Sequence, residues 1–558
     1  MVEQRLQSKK RAITDIFPFG GLGATIMATA NCSVRNGTQN SLPTNLTSGP
    51  LAERFQKIEH LMDEYDLPLE RIQTARTKIV ATVGPSCREP AQLAALAKCG
   101  AKIFRLNMAH AGPEEQQIYV NRIRQVSEEM NEPLAILVDL AGPKFRLSEL
   151  PDDQIYCHRD ETFFFVKGTP ANPNELITSY EPLIDELTVG DQVMLADGTV
   201  SMVVEELMPD RARLRVQQQG VIRSRQGINL PGVRLSAPAI SVEDHQHAIW
   251  AAKAGIDFVS LSFVRSPDEV RTLKDILRSS GSQGSVIAKI EKREALERLE
   301  EIVAEADGIM VARGDLGVEI DVAETPIAQK RIIRMCQEFH KPVIIATQML
   351  DSMHESQRPT RAEVTDVANA ILDGADACML SGETAIGKHP RKVVEMMNRI
   401  AVATEASMIG QPLRQPSKKK VDWLHEVTTA VVRGAGTMAH SLQAKLVVVA
   451  SHSGRTALAM SQLRNFVPTI GVSSKESTLR QMCLYWGVTP LRNAAAENVE
   501  QLTKQIEEWT CRVGLTVSGD RIVIVGGSHL TVTQENKKGS AAHDLVMVHE
   551  VSCTVPTA

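Results

Sequence analysis

Two runs decide the fold: Val286-Ile287-Ala288-Lys289-Ile290-Glu291, and Ile309-Met310-Val311-Ala312-Arg313-Gly314-Asp315. Each is a short apolar stretch that ends abruptly in charge and is followed by a helix-like pattern. Alternate residues of an extended strand share a face, so Lys289 and Glu291 point the same way. Asp315 lies one strand–helix unit further on. An ammonium and two carboxylates at the ends of neighbouring buried strands suit a divalent metal and an anionic substrate. Taken one at a time, each such charge reads better as a solvated ion pair where a strand enters a loop. The repetition of the pattern along the chain separates the two readings.

Working outward, apolar strands recur at Lys78 to Val83, Ile103 to Asn107 and Leu134 to Asp139. They resume at Phe258 to Ser262, Val286 to Ile290, Gly308 to Val311, Val343 to Ala346 and Ala377 to Leu380. Eight strand–helix units predict an α/β fold, a (β/α)8 TIM barrel with its site at the carboxyl ends of the strands. Polar residues gather there: Arg105 and Asn107, Asp139, Arg265, Lys289 and Glu291, Asp315, Thr347 and Gln348, Ser381 and Glu383. Solvated charges scattered at random would not select one end of most strands. Between the third and fourth strands, residues about 147 to 230 carry β-branched residues and turn signals such as Gly190-Asp191 and Asp197-Gly198, which predict a small all-β insertion.

The flanks differ from the barrel. Asn31 to Pro50 is rich in Asn, Thr, Ser and Gly and is expected to lack fixed structure. Residues 51 to 65 read as a short amphipathic helix. After a basic, proline-containing linker (Pro412 to Lys420), a second α/β unit has strands near Leu446 to Val449, Thr469 to Val472 and Ile522 to Val525. Ser451-His452-Ser453-Gly454-Arg455-Thr456 follows the first of these. The stretch reads as a phosphate cradle at a helix N-terminus, or as a plain turn with Thr456 as N-cap.

Length and composition agree with this division. A chain of 558 residues needs about three domains. A formal net charge of −5 argues against general nucleic-acid binding. No apolar run reaches membrane-spanning length. The nine cysteines stand singly, which suits a reducing, cytoplasmic setting and carries no zinc signature.

Several long motifs together resemble the pyruvate kinase family. They are Thr77-Lys78-Ile79-Val80-Ala81-Thr82-Val83-Gly84-Pro85, Met310 to Gly317, Ala346-Thr347-Gln348-Met349-Leu350, Arg358-Pro359-Thr360-Arg361-Ala362-Glu363 and Met379 to Thr384. The resemblance implies phosphoryl transfer from phosphoenolpyruvate to ADP, giving pyruvate and ATP, usually by a homotetramer. It implies a catalytic barrel over 71–145 and 232–411, a β-barrel lid over 146–231, a C-terminal effector and assembly domain over 412–558, and a partly disordered extension over 1–70.

By position, the resemblance implies that Glu291 and Asp315 hold Mg²⁺ or Mn²⁺. Lys289 and Arg105 would act on the phosphoryl group, and the backbone of Ala312, Arg313, Gly314 and Asp315 would hold the substrate carboxylate. Thr347, with Ser381 and Glu383, would serve proton delivery to the enolate carbon. Asn107, His110, Arg146 and Gln226 would lie at the nucleotide phosphates. Ser451, Ser453, Gly454, Arg455 and Thr456 would bind a phosphorylated effector.

Departures from the family pattern sharpen the expectations. Ala109 and Leu140 stand where a serine and a threonine usually serve a K⁺ site, and Lys144 replaces the usual glutamate. A lysine ammonium near the K⁺ position would supply that charge covalently and disfavour a second cation. The enzyme is therefore expected to be K⁺-independent. Gln226 replaces a frequent lysine, His452 another, and Gly539-Ser540-Ala541-Ala542 a more usual Gly-Ser-Thr-Asn. Two rival readings remain: an aldolase acting on pyruvate enolate, and a metabolite sensor without catalysis.

Overall fold

The computed structural model describes residues 75–143, 145–196, 198–233, 235–414, 419, 421, 423–496, 498–526 and 545–552. The N-terminal extension, Lys144, part of the 412–420 linker and Gly539 to Ala542 lie outside the described residues. So do the segment read as unstructured and the helix expected at 51–65.

Eight parallel strands close into a barrel. They are β1 (Lys78–Thr82), β2 (Ala101–Asn107), β3 (Ala135–Asp139), β4 (Phe258–Leu261), β5 (Ser285–Ile290), β6 (Gly308–Ala312), β7 (Val343–Ala346) and β8 (Ala377–Leu380), with β8 pairing back to β1. The two faces of each strand bury different sets. Ile79, Phe104, Ile136, Val259, Val286, Ile309, Ile345 and Cys378 pack outward against the helices. Val80, Ile103, Leu137, Phe258, Ile287, Met310, Ile344 and Met379 belong to a separate core inside the barrel. Counting onward by twos from the inner set gives Thr82, Arg105, Asn107, Asp139, Ser260, Ser262, Lys289, Glu291 and Ser381. The barrel filling is thus apolar at one end and polar at the other, because each strand changes residue type along its inward face.

Helix boundaries follow local chemistry. Thr360 caps the helix Arg361–Asp373 with a reciprocal Glu363 capping box, and Gly374, at φ 101°, ends it in the left-handed conformation. Ser241 and Asp244 cap Val242–Lys253 in the same way.

The insertion between β3 and β4 carries a six-stranded sheet and a two-stranded sheet around a core of Phe163, Phe165, Leu195, Val200 and Leu214. The C-terminal unit is a five-stranded sheet of β9 (Leu446–Ala450), β10 (Thr469–Val472), β11 (Val488–Leu491), β12 (Arg521–Gly526) and β13 (Leu545–Glu550), in the order β11-β10-β9-β12-β13. The sequence pattern pointed to only three of these. The two others are the edge strands. One holds Pro490, which suits an edge, and most residues of both are partly exposed.

The amino ends of the barrel strands dock on this unit through charge. Arg480 Nε donates to Asp257 Oδ1 (2.6 Å), Arg464 Nη2 lies 3.0 Å from Asp376 Oδ1, and Lys78 Nζ donates to the Val488 carbonyl (2.7 Å). Among the described residues six cysteines are free thiols, five of them buried. Cys511 is disulfide-bonded, which the scattered spacing did not foreshadow. Among the described residues no helix is long and apolar enough to cross a membrane.

Candidate active site at the carboxyl end of the barrel

Asp139, ending β3, is the junction of the site. Its Oδ2 accepts from Arg105 Nε (2.8 Å) and Nη2 (2.5 Å), and its Oδ1 accepts from Ser260 Oγ (2.6 Å). Lys289 Nζ lies 3.3 Å from the same Oδ1 and 2.9 Å from Glu291 Oε1, and it donates to Ser262 Oγ (2.7 Å). Ser262 in turn donates its hydroxyl hydrogen bond to the Leu140 carbonyl (2.7 Å). Adjacent strands in register place these groups together: Ser260 lies opposite Asp139, as does Asn107.

Burial and charge set the ionisation. Burial alone would neutralise Lys289, but Asp139 and Glu291 hold its ammonium above the ordinary lysine range. Burial also opposes the charge on Asp139. There Lys289 and Arg105 win, and its carboxyl is lowered to about 2. Glu291 goes the other way. Burial pushes it up, Asp315 adds repulsion, and Lys289 offsets only part of this.

Glu291 is 1 % exposed. Its Oε2 accepts from the Phe263 amide (2.6 Å), and its Oε1 has the Lys289 ammonium as its charge partner. Asp315 sits in the first turn of the helix Arg313–Glu319, three residues past β6 rather than at the strand end itself. A buried carboxylate raised in pKa, next to a second carboxylate, fits a hard divalent cation. Among the described residues no group of three or more His, Cys, Asp or Glu converges on a metal site. Two carboxylates completed by substrate oxygens and water is the manner in which Mg²⁺ is commonly held.

The remaining predicted residues fall into three groups. Thr347 breaks the strand parity at φ 68°, which turns its hydroxyl to accept from the Gly314 amide (2.8 Å) and donate to the Ala346 carbonyl (2.7 Å). Arg313 points away and ties Asp366 (2.7 Å) to the Thr347 carbonyl (2.8 Å), so its side chain props the loop. A Cβ on Gly314 would meet Thr347 only at ordinary contact distance. Glu383 is buried and accepts from the Ser381 and Leu350 amides (2.6 and 3.2 Å), which locks the turn that carries Ser381.

Asn107 folds back to cap the Ala109 amide, and His110 is exposed on the same turn. Arg146 and Gln226 meet at the base of the insertion. Arg146 bridges Gly227, the Gln226 carbonyl accepts from Leu147, and the Gln226 amide oxygen is spent on the Arg223 backbone.

In the C-terminal unit, Ser451 directly follows β9 and is buried, and Ser453 and Arg455 are exposed. Gly454, at φ 79°, is the residue before the helix Arg455–Gln462. Thr456 lies inside that helix and is buried, so the alternative of Thr456 as N-cap is corrected: Gly454 holds the cap position, and it makes no side-chain bond.

Sequence reasoning missed the support residues Ser260, Ser262, Thr82 and the Phe263 amide. Thr82 Oγ1 accepts from Arg105 Nη1 (3.2 Å). Ser260 and Ser262 share the two-residue spacing of Lys289 and Glu291, a signal that could have found them. Phe263, at φ 55°, carried none.

A closed parallel barrel with convergent cations and carboxylates at its carboxyl end, an inserted β unit and a C-terminal α/β unit describe a barrel phosphotransferase. A family model, "Pyruvate kinase, barrel domain", matches residues 74–394, and another, "Pyruvate kinase, alpha/beta domain", matches residues 429–538. The pyruvate kinase of Staphylococcus epidermidis is 36% identical over 459 residues, covering 81% of this chain and 77% of that one. That of Staphylococcus aureus is 37% identical over 461 residues, with the same shares. A crystal structure of a pyruvate kinase from Cryptosporidium parvum superposes with a TM-score of 0.77 at 30% identity, covering 87% of this chain and 98% of that one. The chain belongs to the pyruvate kinase family and is a phosphotransferase enzyme.

Proposed function

We propose that the chain moves the phosphoryl group of phosphoenolpyruvate to ADP without K⁺, and that a phosphorylated metabolite activates it. The observation that carries this reading is the buried Arg105–Asp139–Lys289–Glu291 chain, which fixes two cations where an anionic group would be transferred. Neither cation has to reorganise when charge shifts, so both act as preorganised electrostatics. Lys289 would face the phosphoryl and enolate oxygens, and Arg105 the phosphoryl group alone. Glu291 and Asp315 would hold Mg²⁺ or Mn²⁺, and the cation would counter charge developing on the transferred group.

The backbone of Ala312 to Asp315 would hold the substrate carboxylate beside Thr347. Thr347, with Ser381 and Glu383 behind it, would direct a proton to the enolate carbon. Asn107, His110, Arg146 and Gln226 would line the nucleotide end, under the inserted unit acting as a lid. A cytoplasmic homotetramer is the matching assembly.

K⁺ independence draws on Ala109, which offers no side-chain oxygen, and on Asp139, whose two oxygens are already engaged by Arg105, Ser260 and Lys289. Lys144 would supply the charge. The test is ATP formation from phosphoenolpyruvate and ADP with Mg²⁺ in buffer stripped of K⁺ and NH₄⁺, followed by a KCl titration. Turnover without K⁺ and little gain on adding it is expected. Turnover only with K⁺ would overturn the cation assignment and leave the reaction standing. For the effector loop, Ser453→Ala with Thr456→Ala should abolish activation and spare basal turnover. Unchanged activation would refute that site.

A further inference from the structure

Arg265 stands at the carboxyl end of β4 yet reaches none of the groups described above. Its guanidinium donates through Nη1 to the Leu235 carbonyl and through Nη2 to the Ala237 carbonyl, both at 2.9 Å. Both carbonyls lie on the strand of chain that leaves the insertion and returns to the barrel. Ser236, between them, is held from the opposite side. Its amide donates to Glu186 Oε2 (3.1 Å), its hydroxyl donates to Glu186 Oε1, and it sits 3.1 Å from the Tyr180 hydroxyl. Tyr180 also donates to Glu186 (2.8 Å) and packs on Phe145 of the entering linker, with ring centroids 4.6 Å apart. Three consecutive residues are therefore stitched alternately, outer two to the barrel and middle one to the insertion. Successive residues of an extended segment face opposite ways, which makes this alternation possible.

We propose that Leu235-Ser236-Ala237 is the pivot of the lid and that Arg265 is a positioning residue that sets the closed angle. This rests on the reading of the insertion as a lid. Arg265 is suited to the task because its planar fork can span two carbonyls while Glu269 (Nε to Oε1, 3.0 Å) fixes its direction. Beside the pivot, Gly232 at φ 76° supplies a backbone free to take up rotation. A loosened pivot would admit water, which would then take the phosphoryl group: the bridging P–O bond of phosphoenolpyruvate breaks, a water oxygen bonds to phosphorus, a proton released by that water goes to the enolate methylene carbon, and pyruvate and free phosphate leave.

The test compares wild type, Arg265→Gln, Arg265→Lys, Glu186→Gln and the Arg265→Gln/Glu186→Gln double variant in the full chain. Hydrogen exchange should rise about tenfold in peptides spanning both linkers of Arg265→Gln, the factor that one lost charge-assisted hydrogen bond implies. KM for ADP should rise about five- to tenfold with KM for phosphoenolpyruvate within about twofold, and free phosphate should appear beyond the ATP formed. Arg265→Lys, keeping one bond, should fall between. The double variant should be no worse than the poorer single one, since both break one pivot.

Linker exchange and KM for ADP both within twofold of wild type would overturn the proposal. So would a rise confined to the helix Pro267–Ser279, whose amino end carries Glu269. Should Arg265→Gln not fold, Glu186→Gln on the insertion side decides by the same readouts. Absence of ATP formation by wild type would sink the reaction reading, while exchange would still report on the pivot.

Discussion

Both ends of the barrel bury charge, and they do so differently. At the amino end Asp257 and Asp376 are each answered on both oxygens. Asp257 takes Arg480 on Oδ1, with Arg124 (2.9 Å) and the Ile136 amide (2.8 Å) on Oδ2. Asp376 takes Arg464 and Gln462 on Oδ1 and the Val343 amide on Oδ2. These bonds seal the barrel floor onto the C-terminal unit. At the carboxyl end the balance fails: Glu291 meets Lys289 on Oε1 and the Phe263 amide on Oε2, yet burial and the neighbouring Asp315 still raise its pKa. Burying charge is costly at both ends. Only the carboxyl end leaves a buried carboxylate under-compensated, and that separates a candidate site from a seal.

Breaking either end should therefore give opposite phenotypes. The largest effect is expected from Lys289→Met. Losing a preorganised cation should lower kcat by about 10²–10³-fold or more in a steady-state assay, with the fold retained by circular dichroism. At the other end, Asp257→Ala leaves Arg480 and Arg124 without their carboxylate. It should cost about 3–5 kcal/mol of folding stability, read as a lower urea midpoint, with turnover per folded molecule little changed.

The pH dependence sharpens the contrast. Asp139 is depressed from 3.8 to about 2 in the folded chain, so its contribution of about 2 kcal/mol is present above pH 4 and lost as pH falls toward 2. Urea midpoints measured over that window should slope less in Asp139→Asn. Glu291, raised by burial, contributes in the other sense: its favourable share is present at acid pH and is lost as pH rises through its folded pKa. The smallest effect is thus a stability at pH 7 for Glu291→Gln equal to wild type or slightly above it.

Much of this contrast was legible before any coordinates. The inward parity of the strands turns polar at one end, so Lys289, Glu291, Arg105 and Asp139 announce a site by position alone. Both serines of β4 follow the same spacing and were overlooked because a hydroxyl in a strand looks ordinary. Thr347 was found through its motif, but its reversed backbone was not, since left-handed φ at a threonine has no composition signal. Arg265 was read as one more charge at a strand end. Its partners are carbonyls some thirty residues earlier, a relation that only folding creates. The amino-end seals were invisible for the same reason: Asp257 and Arg480 lie 223 residues apart.

The difference between the two ends is read most directly from a crossed pair, Glu291→Gln and Asp257→Ala, each assayed for ATP formation with Mg²⁺ and for its urea midpoint. Glu291→Gln should keep its midpoint and lose nearly all turnover, while Asp257→Ala should lose its midpoint and keep turnover per folded molecule. An active Glu291→Gln enzyme, or two variants that lose both properties alike, would contradict that difference.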